Sequence, residues 1–158
     1  MKSQQTKTQD QTGLPLAESM LPFWRLILKA FTERISRSGL SFNAATVVAH
    51  LYLHPEDSEP AKLSEETCAP RQTMTFILDT LEQQNLAARS PHPNDRRKKV
   101  VTLTAKGRKL AKAMLGDLLG FENRALQDTG SPMSVEGVKH WLASYTDSLT
   151  RQNAEARS

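Results

Sequence analysis

Residues 92–107 read HPNDRRKKVVTLTAKG, and they contain the densest positive charge in the chain. Four cations, Arg96 to Lys99, follow a single acid, Asp95. In the predicted strand from Lys98 to Thr104, Val101 and Leu103 alternate with Val100, Thr102 and Thr104, which is typical of a strand with one buried face. The preceding PHPND, residues 91–95, is rich in turn-forming residues. With the run LAARS before it as the partner strand, the stretch predicts a β-hairpin with a strongly basic tip.

Helical periodicity lies on both sides of this hairpin, because apolar residues recur at steps of three and four. Caps and breakers such as Ser41, Pro60 and Thr104 predict where helices begin. The predicted helices cover Leu16 to Ser38, Ser41 to Leu53, Pro60 to Thr67, Pro70 to Asn85, Thr104 to Ala125 and Ser131 to Leu149. Two short helices joined by a tight turn and followed by a hairpin predict a winged helix-turn-helix. The fold class is therefore mainly α with a small β hairpin, or α+β.

The terminal helices have longer apolar stripes than this small unit can cover. We therefore expect them to be dimerisation helices that flank the winged helix-turn-helix and pack against a second copy of the chain. The residues expected at this contact are Phe23, Ile27, Leu142, Tyr145 and Leu149. The expected organisation is a disordered tail (1–13), an N-terminal dimerisation helix (14–40), the winged helix-turn-helix (41–104), C-terminal dimerisation helices (105–152) and a polar tail (153–158).

The positive charge is concentrated in one segment. From Arg89 to Lys109, eight Lys and Arg residues stand against the single acid Asp95, which gives +7. Because the whole chain carries +4, the remaining residues sum to −3. This asymmetry indicates a protein that binds nucleic acid or another anionic surface.

Composition predicts where the protein works. One cysteine, Cys68, excludes an internal disulfide and favours a reducing compartment. The N-terminus is polar, and no apolar run approaches the length of a membrane span. We therefore expect a cytoplasmic protein without a membrane partner.

The hairpin and the helices before it resemble those of the MarR family of transcriptional regulators. In DRRKKVVTLTAKGRKL, the residues that match the family pattern are Asp95, Arg97, Leu103, Thr104 and Gly107. In LSEETCAPRQTMTFILDTLEQQNL, they are Leu63, Thr73, Thr75, Asp79, Leu81, Glu82 and Leu86. The resemblance extends over about residues 16–150. It implies a homodimer that binds a double-stranded DNA operator with inverted-repeat symmetry, and repression is the commoner mode.

The residues expected to contact DNA lie on the second helix of the motif and on the hairpin, or wing. Gln can read adenine, Arg can read guanine, and Thr can contact a thymine methyl or a phosphate. A basic wing fits the minor groove, and Asp95 is expected to accept from the Arg97 guanidinium and so orient it. The expected set is Arg71, Gln72, Thr73, Thr75, Phe76, Asp95, Arg96, Arg97, Lys98 and Lys99.

This chain departs from the family pattern at three positions. Phe76 and Thr80 stand where the family often has a cation, and Cys68 stands where the tight turn usually has a glycine. The recognition helix therefore carries Arg71 as its only cation.

The resemblance also implies a small aromatic or phenolic effector bound between the two regions of the protein. The residues considered for this pocket are Trp24, Leu28, His50 and His54. His50 and His54 are four apart, as metal ligands can be, but the stretch HLYLH lacks the Glu of a metalloprotease motif. We expect no metal site and no cofactor.

Three other functions compete with DNA-binding regulation. Cys68 lies between the two helices of the motif, so its oxidation could make the protein a redox sensor, although a small apolar residue at a buried turn is the commoner role. A winged helix can also bind protein instead of DNA. A metal-dependent hydrolase is the third, but no Ser-His-Asp order, phosphate loop or paired carboxylate motif supports it, so we expect no enzyme.

Overall fold

The computed structural model describes residues 20–56, 58–92, 94–130 and 134–156, and of Arg96 it describes the backbone only. Within these residues the elements are α1 (Leu21–Ser36), α2 (Phe42–Leu53), α3 (Pro60–Glu66), α4 (Arg71–Gln83), β1 (Ala87–His92), β2 (Asp95–Leu103), α5 (Ala105–Asp128) and α6 (Val135–Glu155). The strands form a two-stranded antiparallel sheet. The predicted class, mainly α with a small β hairpin, is confirmed.

The chain divides into two compact units, one up to Phe42 and one from Asn43 onward. The first unit contains α1, in which Ile35 is buried and most other side chains are exposed. The Ser38 N–H donates to the Ile35 carbonyl at 2.8 Å, and Gly39 has a φ of +78°, so the helix ends where the Ser-Gly pair predicts. The predicted start at Leu16 and the predicted tail 1–13 lie outside the described residues.

The second unit has a core built from the apolar face of every element except α6. On α4 the buried residues are Met74, Ile77, Leu78 and Leu81, as the periodicity predicts. They are joined by Val47, Val48, Leu51, Leu63, Leu86, Val101, Leu103, Ala111 and Met114. In α6 no residue is buried. The core therefore belongs to the winged helix-turn-helix and the start of α5.

The turn between α3 and α4 is short and is held by side chains. The buried Ser64 hydroxyl donates to the Ala69 carbonyl at 2.5 Å, and the Thr67 hydroxyl donates to the Leu63 carbonyl at 2.5 Å. Cys68 has a φ of +53°, the left-handed region that favours glycine. This is the physical reason why a glycine would suit that position.

The two strands are longer than the sequence predicts, and their register changes near the tip. Residues 87–91 pair with residues 103–99 in order, but His92 then pairs with Asp95. Among the described residues, 96–98 have no partner across the sheet. Lys98 and Lys99 lie in the second strand as predicted, and Arg96 and Arg97, which precede the predicted strand, also belong to β2.

The junction between β2 and α5 is tight. The Thr104 side chain caps α5 by accepting from the Gly107 N–H at 3.0 Å, which confirms the predicted cap. The Thr104 hydroxyl also donates to the Asn85 carbonyl at 2.8 Å, and Asn85 has the positive φ of a helix C-terminus, +57°. These contacts join the end of α4 to the start of α5.

The last helix begins later than predicted. Its N-cap is Ser134, whose side chain accepts from the Gly137 N–H at 3.1 Å, and its first residue is Val135. The predicted start at Ser131-Pro132 lies outside the described residues. At the other end the helix continues to Glu155, past residue 152 where we placed the end of the helical region.

Candidate nucleic-acid interface

Five of the ten residues predicted to contact DNA lie on α4, and four of these are on its exposed face. Arg71, Gln72, Thr75 and Phe76 are exposed, while Thr73 is half-buried. Because residues four apart lie one above the other on a helix, Gln72 and Phe76 share one outward stripe. A single recognition face thus presents an amide and an aromatic ring side by side.

Two of the three threonines of this helix use their hydroxyls in bonds to its own backbone. Thr75 donates to the Arg71 carbonyl at 3.3 Å, and Thr80 donates to the Phe76 carbonyl at 2.9 Å. The guanidinium of Arg71 and the amide of Gln72 have no partner among the described residues. They are therefore the groups on this face that are available to bond base edges.

Arg89 of β1 links the wing to the recognition helix. Its backbone N–H donates to Glu82 Oε1 at 2.8 Å and its Nε donates to Glu82 Oε2 at 2.9 Å, while Nη2 contacts both Asp79 and Glu82. The Arg89 hydrogen bonds hold the pKa of Glu82 below its ordinary value, and the two carboxylates raise the pKa of Arg89. Although Arg89 belongs to the basic segment, its positive charge is balanced within the fold by the carboxylates of Asp79 and Glu82.

The other cations of the wing differ in whether their charged groups have an ion-pair partner. Lys98 Nζ lies 3.0 Å from a Glu59 carboxylate oxygen, which ties β2 to the start of α3. Arg97 and Lys99 are exposed, and their charged groups have no partner among the residues that the structure describes. These two are therefore the side chains of the wing best placed to meet phosphate.

Asp95 orients the wing differently from our expectation. Its Oδ1 accepts from the Arg97 backbone N–H at 3.0 Å, and no bond to the Arg97 guanidinium is formed. When an Asp carboxylate accepts from the backbone N–H two residues later, the two residues form a local turn. This turn does not require the Arg97 side chain to fold back onto Asp95. Asp95 therefore shapes the backbone and leaves the guanidinium free.

The predicted redox residue is placed unexpectedly. Cys68 is exposed, so the expectation that it fills a buried turn as a small apolar residue is wrong. Its left-handed backbone turns the side chain outward, and the neighbouring Ala69 is buried instead. The thiol is consequently accessible beside the first turn of the recognition helix.

The four residues considered for an effector pocket are divided between the two units. Trp24 and Leu28 lie on α1, half-buried and exposed respectively. His50 and His54 lie on α2 with ring centroids 5.1 Å apart. The Nε2 of His50 is buried and has no hydrogen-bond partner among the described residues. No group of three or more potential metal ligands occurs in the described part of the chain.

The structure also contains a pocket that the sequence does not indicate. It has a volume of about 210 Å³ and lies between the end of α2, the strand β2 and the start of α5. Its lining is Leu51, Tyr52, Pro55, Val101, Thr102, Leu103 and Arg108. These residues come from two segments that are far apart in the sequence, 51–55 and 101–108, so no local pattern could have found them.

The residues predicted for dimerisation lie on helices with little burial. Phe23 is 63% exposed and Ile27 46% exposed on α1, and Leu149 is 43% exposed on α6. Leu142 and Tyr145 are half-buried, and the Tyr145 ring stacks on Trp141 at 5.2 Å. Large apolar side chains in contact with water mark a surface that a partner can cover. Among the described helices, none has the length and hydropathy that crossing a bilayer requires.

Comparison with known proteins agrees with this architecture. The model of the MarR family matches residues 41–99. Transcriptional regulator PA4135 is 22% identical, over 87% of this chain and 98% of its own, with a TM-score of 0.70. The S. aureus MepR–DNA complex is 21% identical, over 84% and 98%, with a TM-score of 0.67. BldR of Sulfolobus solfataricus is 24% identical, over 86% and 93%, with a TM-score of 0.68.

A comparison with curated protein sequences gave no match. The family match covers the helix-turn-helix and the basic part of the wing, which are the segments on which the resemblance rests. Members of this family are transcription regulators, which agrees with the expectation that the chain is not an enzyme. Residues 41–99 are therefore similar to the MarR family of transcription regulators, and the chain has the winged-helix fold of the solved structures that it resembles.

Proposed function

We propose that this protein is a cytoplasmic, homodimeric transcription regulator that binds a specific DNA operator and represses by blocking it. The proposal rests on one observation, which is that a group of ion pairs, called the clamp below, connects two exposed surfaces. The outward face of α4 and the unpaired cations of β2 are joined through Arg89, Asp79 and Glu82. The clamp holds a reading surface and a phosphate-binding surface together.

The two surfaces are expected to contribute differently to DNA binding because their side chains differ. Arg71 and Gln72 can bond guanine and adenine edges in the major groove. Arg97 and Lys99 can enter the neighbouring minor groove or contact its phosphates, where each neutralised phosphate releases counterions. The wing therefore supplies affinity that depends on salt, and α4 supplies sequence preference.

The exposed apolar residues of α1 and α6 support dimerisation. A two-fold dimer presents two recognition helices, so its operator has the symmetry of an inverted repeat with half-sites roughly 10 base pairs apart. Sedimentation of the full chain tests the dimer. Removal of residues 131–158 should give a monomer or an aggregate, and a folded monomer that still binds DNA would overturn this part of the proposal.

A small aromatic or phenolic acid is the effector that the family resemblance implies, and its binding would release the operator. One feature of the second unit supports an effector of this kind. The buried His50 Nε2 lacks a hydrogen-bond partner among the described residues and is therefore able to bind a polar ligand group. Titration of the protein–operator complex with salicylate or benzoate tests this, with His50→Ala expected to reduce the response.

Selection of bound DNA from a random pool is the decisive experiment. The proposal predicts enrichment of sequences with dyad symmetry, and affinity that falls steeply as salt rises. Enrichment without dyad symmetry would contradict the dimer model. A protein that selects no sequence and is not retained on heparin would instead be a winged-helix module for binding proteins.

A further inference from the structure

Phe76 is the most exposed large apolar side chain in the described part of the chain, at 72%. An isolated exposed apolar residue is common on protein surfaces and by itself decides nothing. Phe76, however, lies on the recognition helix, four residues after Gln72 and on the same outward stripe. Its ring therefore stands in the middle of the surface that is proposed to enter the major groove.

The neighbours of Phe76 leave its ring free to make contacts. The buried residues of α4, such as Ile77, lie on the opposite side, and the Thr80 hydroxyl is bonded to the Phe76 carbonyl. Asp79 contacts the Arg89 guanidinium, which it shares with Glu82. A groove that receives this face consequently meets an apolar ring flanked by the Gln72 amide.

The major groove offers one apolar group that such a ring can read. Thymine presents a C5-methyl group there, and apolar side chains including Phe pack against it, whereas the other bases present donors and acceptors. Four residues span about 6 Å along a helix, and stacked bases on one strand are about 3.4 Å apart. Phe76 therefore reaches a base one or two steps from the base that Gln72 reads.

We infer that Phe76 is a specificity-determining residue that recognises the C5-methyl group of a thymine in each half-site. The inference rests on the proposed DNA-binding function and deepens it, because it names the chemical group that is read. It also explains how a recognition helix with a single cation can discriminate among sequences: an apolar contact replaces a charged one. Such a contact releases no counterions, so it leaves the salt dependence of binding unchanged.

The test is a uracil scan of the selected operator, in which each thymine in turn is replaced by deoxyuridine. Uracil pairs as thymine does but lacks the methyl group, so it removes only the apolar contact. Loss of one buried methyl, about 0.8 kcal/mol, corresponds to about fourfold weaker binding. We expect this loss at one thymine of each half-site, and about 15-fold weaker binding when both symmetric thymines are replaced.

The same scan on Phe76 variants assigns the effect to the ring. With Phe76→Ala, thymine and uracil operators should bind equally, and the slope of log affinity against log salt should match that of the wild type. Phe76→Leu keeps an apolar side chain and should retain part of the discrimination. Because the ring is exposed, both variants should melt within a few degrees of the wild type.

The outcomes separate the two levels of the proposal. A wild-type protein that selects an operator but binds its uracil forms equally well overturns the thymine contact and leaves the regulator intact. Equal discrimination by Phe76→Ala and wild type assigns the methyl to another residue and likewise overturns the inference. A wild type that selects no DNA overturns the proposed function, and the inference with it.

Discussion

Arg89 of β1 donates to Glu82 of α4 through both its backbone N–H and its guanidinium, at 2.8 and 2.9 Å. The two residues are seven apart in sequence, and the contact bridges the recognition helix and the first strand of the wing. This pair joins the two surfaces proposed to bind DNA. We therefore expect its loss to affect both stability and DNA recognition.

Acid should weaken this clamp. The folded-state pKa of Glu82 lies below its ordinary value of 4.5 because Arg89 stabilises the carboxylate. The stabilisation of the fold by this ion pair is therefore complete when the pH is above the ordinary pKa of Glu82. It is lost as the pH falls through the lower pKa that Glu82 has in the folded state. At pH 7, Glu82→Gln should lower the free energy of unfolding by about 1 kcal/mol, a value reduced by partial exposure of the pair. Urea unfolding at a constant protein concentration measures it.

The control for this prediction is Glu136→Gln. Glu136 pairs with Lys139 on the surface of α6, and its side chain is 82% exposed, so its removal should change stability little at any pH. The difference between wild type and Glu82→Gln should shrink at pH 3. An unchanged difference between pH 7 and pH 3 would contradict the assigned role of the Glu82 carboxylate.

Replacement of Arg97 should change the salt dependence of DNA binding. Its guanidinium has no partner among the described residues, so Arg97→Ala should remove about 0.9 from the slope of log affinity against log salt per subunit, or roughly one to two units per dimer. Lys98 is already paired with Glu59, so Lys98→Ala should flatten the slope less. Titrations on operator and scrambled DNA at several salt concentrations measure both. Wild-type affinity of Arg97→Ala at every salt would exclude the wing as an anchor.

Asp95 should tolerate an amide but not an alanine. Its side-chain oxygen accepts from the Arg97 backbone N–H at 3.0 Å, and an Asn oxygen can accept in the same place. Asp95→Asn should therefore bind DNA like the wild type or slightly better, since one negative charge is removed. Asp95→Ala should weaken binding by loosening the wing. If Asp95→Asn is as weak as Asp95→Ala, the charge matters and the backbone bond does not.

Gly107 has no room for a side chain. A Cβ at this position would lie 1.9 Å from the Leu86 carbonyl oxygen, which is backbone and cannot turn aside. Gly107→Ala should therefore lower the free energy of unfolding by about 3 kcal/mol or more. Gly116 is the matched control, because it lies in the same helix with no atom near its Cβ position. Gly116→Ala should raise stability by about 0.5–1 kcal/mol. Thermal or urea unfolding distinguishes them.

The substitution Cys68→Gly should stabilise the fold. Cys68 has a φ of +53°, and a residue with a Cβ in this left-handed region is strained by about 1–2 kcal/mol. Glycine removes this strain, but part of the gain is lost because glycine makes the unfolded chain more flexible. Cys68→Gly should therefore be more stable than Cys68→Ala, which keeps the Cβ. Equal stability of the two variants would show that the turn is relaxed.

The exposed thiol of Cys68 makes the redox alternative directly testable. If Cys68 does not sense oxidants, peroxide should affect operator binding by the wild type and by Cys68→Ser equally. Release of the operator from the wild type but not from Cys68→Ser would identify the protein as a redox sensor. A band-shift titration with and without peroxide measures this.

Local patterns were sufficient to predict most of the elements. The spacing of Met74, Ile77, Leu78 and Leu81 identified α4 and its buried face, and Thr104 was correctly predicted to cap α5. Such features depend on residues three or four apart, so the sequence contains them directly. Helix ends were less certain, since they depend on which of several polar residues makes the cap, as Ser134 does for α6.

The sequence by itself thus determined the helices, the hairpin, the basic segment and the resemblance to the MarR family over residues 41–99. Only the tertiary structure decided which charges are free. Arg89 is neutralised and Arg97 is not, although both belong to the same basic segment. The exposure of Cys68 and the bond from the Arg97 backbone N–H to Asp95 were likewise visible only in the tertiary structure. The physical reason is that an ion pair needs two charges within a few ångströms, and here that distance is set by the packing of α4 against β1, which no local pattern encodes.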